Sequence, residues 1–572
     1  MSDDHSSVME EENPSAASYA GRWVARLRGK IIAQGGTPEQ ALQAAQKIRH
    51  KETPEIIYMH TPFAFLPLLD SARAALPDTE IYLVGGAVRD ALLNRVSHDL
   101  DFAVPKNAIA AARRAASALK ADFYVLDESF DTARVIVSAK NGVRDILDFA
   151  AFRGSDLESD LRGRDFTINA IAFDLCKQTI LDPLNGAADL RARIVRACSE
   201  TSLHDDPIRI LRAVRQAAAF GFKIELETRK AMKQAASLLP NISPERQRDE
   251  LFRILEGPRP DASLRALEML GVFPYLLPEL SQLKGVEQSA PHTYDVWEHT
   301  LSVIQHLDGL LADLAPLIPS PLPLGEGQRG EGKTNDMLTG LLTLRLGRYR
   351  EQFAAHFAKP LNADRSTRAL LFLAALYHDV SKPATKSVEE TGRIRFFDHD
   401  QIGAKVASER ARAFNLSNDE IERLEIIIRN HMRFHFFIGR MEGEKNGPSR
   451  KSIYRFFREA GEGGIDLILL GLADLRGTRA HVLTQETWVA ALDVARILLE
   501  NYWEKPQETV APPRLVDGSD LMKEYNIQPG PLVGQLLEAI REAQATGKVS
   551  TREDAFVFGR ERLREWLKKN QK

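Results

Sequence analysis

Asp99 and Asp101 flank a single leucine in the segment DLDFAV, and two glycines, Gly85 and Gly86, lie a short way upstream in IYLVGGAVRD. In a strand, residues two apart point to the same face. The two carboxylates therefore share one face, while Leu100 and Phe102 share the other. Carboxylates side by side repel unless a cation lies between them. Hard oxygen donors suit Mg²⁺, which is usually held by one or two carboxylates together with substrate phosphates. Glycines between a strand and a helix let the backbone approach a phosphate, and the helix N-terminus favours the anion. Arg89, one turn into that helix, is within reach of the same phosphates. Alone, each feature also fits a tight turn or an exposed acidic pair. Their order within one strand–turn–helix–strand unit points to phosphate chemistry.

A second set of chemical groups lies downstream. TYDVWEHTLSV, ALYHDVSKP, FFDHDQIGA, IIRNHMR and LGLADLRG carry His299, His378, Asp379, His399, His431 and Asp474. Adjacent histidine and aspartate on an apolar helix are costly to bury unless they are paired or bind a metal. Imidazole with carboxylate suits a divalent ion such as Mn, Ni, Fe or Mg.

The rest of the chain must position these groups. At 572 residues it should hold several domains, since single cores stop growing well below that length. A net charge of −3, with 44% hydrophobic and 27% charged residues, is that of an ordinary globular protein. Contact with nucleic acid must then come from local arginine clusters. Two cysteines, Cys176 and Cys198, with no CxxC, exclude a disulfide framework and a cysteine-rich zinc site and fit a reducing cytoplasm. The start, MSDDHSSVMEEENPS, is acidic where a signal peptide is basic and then apolar. The longest apolar run, ALLFLAALYH, is too short to span a bilayer, so no membrane partner is expected. The fold class expected is α+β. Residues 1–55 read as an extension, disordered to about 17 and helical with mixed charge to about 50. Strand runs such as IYLVGG, DLDFAV, ARVIVSA and RDILDFAAF alternate with helices over 56–185. Helical periodicity then dominates a neck at 186–285, an all-helical histidine-bearing region at 286–505 and a tail at 506–572. A Pro- and Gly-rich stretch near 316–336 reads as a disordered insertion.

LVGGAVRD…HDLDFAV resembles the signature of the polymerase-β-like superfamily, in its class II tRNA nucleotidyltransferase and bacterial poly(A) polymerase branch. DLRGRDFTINAIAFDL, DPLNGAADLRARIVRA, DDPIRILRAVRQAAAFGF and SPERQRDEL resemble that branch's next four motifs, in family order over residues 81–252. The resemblance implies a polymerase-β-like head with a mixed sheet. It also implies template-independent addition of C and A, from CTP and ATP, to the 3′ end of tRNA. The reaction is an in-line attack of a hydroxyl on an α-phosphate, with two Mg²⁺ held by Asp99 and Asp101. A third carboxylate is expected on a neighbouring strand. Asp148 is the positional candidate, a structural acid being the alternative. Arg164, Asp165 and Asn169 are implied contacts to ribose and triphosphate, with Asp165 and Asn169 expected on one helical face. Gly163 stands where the family usually has a first arginine, and Arg162 beside it is the candidate replacement.

Asp206 and Arg209, three apart, are expected to project from one helix face, with Arg212 a turn further on. A carboxylate only accepts hydrogen bonds and a guanidinium only donates. Cytosine and adenine both offer an amino donor beside an unprotonated ring nitrogen, whereas uracil and guanine present the reverse. One Asp–Arg pair can thus admit C and A and leave groups unpaired with U or G. The stretch FRGSDLESDLRGRDF is shorter than the arginine-containing loop that the family ties to addition of the final A, so a CC-only enzyme is a second reading. A poly(A) polymerase and a catalytically decayed RNA-binding protein are the others.

The histidine and aspartate series resembles the HD phosphohydrolase superfamily, with Lys382 in the place of its usual lysine. That resemblance implies a divalent metal and phosphatase or cyclic-phosphodiesterase activity on damaged RNA ends, with an inactive scaffold as the alternative.

Overall fold

The computed structural model describes residues 22–570 except 28–29, 36–37, 49–52, 60–65, 94, 96, 139–143, 316–336 and 363–364. The expected disorder of residues 1–17 and of the 316–336 insertion falls outside the described residues. The chain divides into two compact units, Met1–Ser202 and Leu203–Lys572.

The first unit opens with strands β1 (Arg22–Leu27) and β2 (Lys30–Gly35), helix α1 (Pro38–Ile48) and strand β3 (Glu55–Met59). The strands form a sheet of order β2-β1-β3. The helical expectation for residues 18–50 is corrected here, since among the described residues only α1 is helical. Val24, Ile31 and Ile32, punctuated by glycines at 29 and 35–36, favour extended backbone over the helical reading of the charges.

Next come α2 (Leu66–Ala75), β4 (Tyr82–Val84), α3 (Gly86–Leu92), β5 (Asp99–Val104), α4 (Ala108–Leu119), β6 (Asp122–Asp127), β7 (Thr132–Ser138) and β8 (Arg144–Ala151). The unit closes with α5 (Leu157–Arg162), β9 (Ala172–Asp174), β10 (Thr179–Leu181) and α6 (Gly186–Ala192). Seven strands form one mixed sheet of order β10-β9-β4-β5-β8-β7-β6, as the α+β expectation requires. The β5–β8 pair is parallel, and the other neighbours in this sheet are antiparallel. α4 presents Ala108, Ala111, Ala112, Ala115 and Ala116 as a buried stripe and packs on β7 and β8. Leu100, Phe102, Leu147 and Phe149 are buried in the sheet, with the rings of Phe102 and Phe149 stacked at 4.9 Å. The alternate residues Asp99 and Asp101 are exposed.

The second unit is mainly helical. Helices Arg209–Phe220 and Pro244–Glu256 pack together, and helix Val296–Leu314 lies along Gly463–Arg479. Close approach of the latter two needs a small residue: a Cβ on Gly477 would lie 2.8 Å from Val303 Cγ2 and 3.2 Å from Val303 N. The all-helical expectation for 286–505 is corrected by two short antiparallel ladders, Pro360–Asn362 with Arg365–Ser366 and Lys386–Val388 with Ile394–Phe396. Gly392, at φ 78°, allows the tight turn closing the second. The tail forms three helices, Gly518–Tyr525, Pro531–Ala545 and Arg552–Asn570, around a core that includes Leu521, Leu536 and Ile540. Among the described residues no helix is long and apolar enough to cross a membrane.

Gly477→Ala is expected to destabilise the helical unit by about 1–3 kcal/mol, the usual cost of overpacking. A lowered denaturant midpoint, with helix content unchanged before the transition, is the measurement that checks it.

Candidate functional site

The sheet builds the first site. Asp101 is level with Asp148 across the parallel β5–β8 pair, and Asp99 is level with Ile146. Level residues on paired strands face the same side, about 5 Å apart, so Asp99, Asp101 and Asp148 share one face. Arg134 of β7 is opposite Asp148 and binds it with Nε and one terminal nitrogen, both at 2.8 Å. The hydrogen bonds to Asp148 outweigh desolvation, and with the charges of Asp99 and Asp101 they raise the Arg134 pKa further.

Gly85 ends β4 at φ 73°, and a Cβ there would lie 3.0 Å from Asp101 Oδ2 and 3.3 Å from a terminal nitrogen of Arg164. Glycine is thus required twice, by conformation and by space. Arg89 donates to both oxygens of Asp90 at 2.9 Å and to Asn169 Oδ1 at 2.7 Å. Asn169 donates to Asp165 Oδ1 at 2.8 Å, and Arg164 donates to Asp160 at 3.1 Å. The expected helical face is corrected: Asp165 precedes the bridge residue Phe166, and Asn169 ends a single 3₁₀ turn, Thr167–Asn169. The side chains meet nonetheless, because that turn folds Asn169 back over Asp165. Arg162, the candidate replacement, bonds Glu158 on α5 instead.

In the second unit Asp206 lies just before helix Arg209–Phe220, a correction to its expected place on the helix. Its Oδ2 accepts from Arg246 at 2.7 Å and lies 4.0 Å from Arg209 Nε. Its Oδ1 is buried and has no hydrogen-bond partner among the described residues. Arg212, a turn further on, lies 3.5 Å from Glu250, which also accepts from Arg215 at 2.7 Å.

The histidine cluster is assembled by helix ends. His299 is on helix Val296–Leu314, His378 and Asp379 follow Thr367–Tyr377, and His399 starts His399–Ala413. His431 caps Asn418–Asn430, and Asp474 is within Gly463–Arg479. All six are buried. His378, His399 and His431 each point Nδ1 at a carbonyl, of Ala375, Phe396 and Ile428, at 2.7, 2.8 and 2.6 Å. With the proton on Nδ1, each ring turns a bare Nε2 inward, as metal-ligating histidines do. Nε2 of His378 lies 3.3 Å from that of His299, and His399 and His431 are spaced likewise. The atoms fall into two sets, His299–His378–Asp474 and Asp379–His399–His431. Asp379 spans them: its Oδ2 is 3.2 Å from His378 and 3.4 Å from His299, and its Oδ1 is 3.5 Å from His399.

Burial alone would raise the Asp379 carboxyl, but its cationic surroundings, Lys382 at 2.7 Å among them, hold it well below the usual range. Burial lowers His431 to about 3, helped by His399 and His378. His299 is also disfavoured by burial, yet Asp379 and Asp474 bring it up to about 8. Buried inward-facing nitrogens and carboxylates of this kind fit divalent cations, as the three carboxylates of the sheet fit a hard one.

Residues 81–196 match the family model "Poly A polymerase head domain", 221–283 "Probable RNA and SrmB- binding site of polymerase A", and 339–452 "HD domain". The CC-adding tRNA nucleotidyltransferase of Thermus thermophilus is 32% identical over 84% of this chain and 93% of its own length. The chain belongs to the class II tRNA nucleotidyltransferase family. The A-adding tRNA nucleotidyltransferase of Deinococcus radiodurans is 31% identical over 83% of this chain and 94% of its own length. Among solved structures, a CCA-adding enzyme in complex with CTP aligns over 86% of this nucleotidyltransferase and 94% of that chain, with a TM-score of 0.54 at 20% identity. The Thermotoga maritima CCA-adding enzyme complexed with tRNA aligns over 87% and 94%, with a TM-score of 0.50 at 21% identity. These two likenesses are of fold.

Several partners of the nucleotidyltransferase's sites are absent from the sequence reading. Arg134 is in the strand run ARVIVSA, where an arginine among β-branched residues marks the polar face. Arg246 is within the quoted motif SPERQRDEL. His435 Nε2 lies 2.7 Å from Asp474 Oδ2, one turn beyond His431, and Gln288 accepts from Lys382 at 2.6 Å. Helical spacing could have found His435; no local signal marks Gln288.

Stripping the protein with a chelator is expected to lower its Tm, and Mn²⁺ or Ni²⁺ to restore it, a stabilisation of about 2.7 kcal/mol at a hundredfold excess over Kd. His399→Ala should lose most of that gain. An equal gain in the variant would place the ion elsewhere.

Proposed function

We propose that this enzyme builds the CCA end of tRNA by template-independent transfer from CTP and ATP, in the cytoplasm, with residues 56–185 as catalytic head and 186–285 as RNA-binding neck. The observation that carries the reading is the row of Asp99, Asp101 and Asp148 on one open sheet face beside the Gly85 turn. Two Mg²⁺ held there would supply the positive charge that an attack on an α-phosphate needs. The chain's own groups do the rest. The backbone at Gly85 and Gly86 lets the triphosphate come close. Arg89, braced by Asp90 and Asn169, offers its guanidinium to it, and Arg164, Asp165 and Asn169 set the ribose. Asp206 and Arg209 read the base, with Arg212 in support: the Asp206 carboxylate accepts the amino group of C or A, and Arg209 donates to the ring nitrogen beside it.

One observation favours a CC-only product. β8 ends at Ala151 and α5 begins at Leu157, so only residues 152–156 link them. The family's longer loop at that place is tied to addition of A. The relatives include both CC-adding and A-adding enzymes.

The histidine cluster we infer to be a divalent-metal site: His299, His378, Asp379, His399, His431 and Asp474 would hold the ion, Mn, Ni, Fe or Mg, which would supply the positive charge for hydrolysis of phosphoesters at RNA ends. Lys382, 2.7 Å from Asp379 and tethered by Gln288, adds a cation beside these groups that suits a phosphate.

With tRNA lacking CCA, CTP alone should extend the RNA by two residues, and ATP added with CTP by a third; arrest after two identifies a CC-adding enzyme. Tails made from ATP alone would overturn both. Asp101→Ala should abolish addition without loss of fold. Asp206→Asn should relax discrimination against U and G by about 1–3 kcal/mol, the worth of one good base contact. Asp379→Ala should keep CTP incorporation and lose metal-dependent hydrolysis of a 2′,3′-cyclic phosphate. A wild type that hydrolyses no phosphoester with any of these ions would reduce the cluster to a scaffold.

A further inference from the structure

Across β5, β8 and β7, one row of the sheet reads Asp101, Asp148, Arg134. The Arg134 guanidinium meets both oxygens of Asp148 at 2.8 Å, so the carboxylate nearest the other two acids is already neutralised. This is no buried structural bridge. The two side chains are 38% and 30% exposed, and ion pairs so open to water are weakly held. A metal ion on Asp148 would lie beside a fixed positive charge, and like charges a few ångströms apart oppose each other in a cleft. A guanidinium fork also matches phosphate as well as carboxylate.

We propose that Arg134 is a positioning residue that withholds Asp148 from metal until a nucleoside triphosphate binds, whose phosphates draw the guanidinium away and free the carboxylate for a second ion. The inference rests on reading Asp148 as the third carboxylate. Without nucleotide, the head then holds one ion, on Asp99 and Asp101. Nucleotide arrival and completion of the metal pair become one event.

The test counts Mn²⁺ bound per chain by equilibrium dialysis on the full-length protein without nucleotide. The histidine cluster contributes equally to every variant and cancels in the comparison. Arg134→Gln is expected to bind one ion more than the wild type, and the Mg²⁺ concentration for half-maximal CTP incorporation should fall roughly fivefold or more, the lower end of ordinary coupling between sites. Arg134→Lys, which keeps the charge, should gain no ion, and Arg134→Gln with Asp148→Asn should lose the extra one. Equal counts in Arg134→Gln and wild type would overturn the proposal. So would an extra ion in Arg134→Lys, or one that persists without Asp148. Asp148→Asn alone separates the two readings. If it leaves CTP incorporation unchanged, the third-carboxylate assignment falls and this inference with it; if it abolishes incorporation while the counts are equal, only the withholding falls.

Discussion

The parallel pairing of β5 with β8 is the constraint on which the head depends. It is the parallel pair in a sheet otherwise antiparallel, and its register brings Asp148 level with Asp101. A slip of one residue would turn Asp148 to the opposite face and put Leu147 or Phe149 beside the acids. That register is fixed from the other side, where Phe102 stacks on Phe149 under the alanine stripe of α4. The apolar face thus specifies the polar one. Like charges are crowded because burying Leu100, Phe102, Leu147 and Phe149 leaves their alternates no other direction.

The histidine cluster solves the same problem by different means. Nothing periodic aligns its six groups; they arrive from five helices or helix ends, His378 and Asp379 together. Hydrogen bonds from Nδ1 to the carbonyls of Ala375, Phe396 and Ile428 fix three rings. The tight Gly477–Val303 approach sets the spacing of the helices that bear His299 and Asp474. Aimed acceptors, buried without enough protons to bridge them, are costly to leave empty. Such a cluster is suited to hold a divalent cation.

Local period carries most of what was legible beforehand. Alternation in DLDFAV placed Asp99 and Asp101 on an open face, and helix periodicity separated the mixed head from the helical remainder. Pairing between distant segments is invisible to period. Asp148 came from resemblance, and Arg134 and Arg246 emerge only when strands or helices are set side by side. The N-terminal strands were read as helix because mixed charge in a short segment says little about backbone, whereas Val24, Ile31 and Ile32 say more. At Asp165 and Asn169 the four-residue spacing suggested a helix, but a 3₁₀ turn meets the same contact with fewer residues. The two ladders in the histidine-bearing region are two or three residues long, too short to register against helical surroundings.

Asp206 has a consequence for timing as well as for choice. One of its oxygens is satisfied by Arg246, while the other is buried with nothing among the described residues donating to it. An acceptor left in that condition is a standing debt of about 1–3 kcal/mol in the resting protein. On the proposed base reading, an amino group brought to this carboxylate supplies the missing donor, whereas a carbonyl adds repulsion. On that reading the resting site is strained like a sprung catch, and a nucleotide that brings no donor leaves it unreleased.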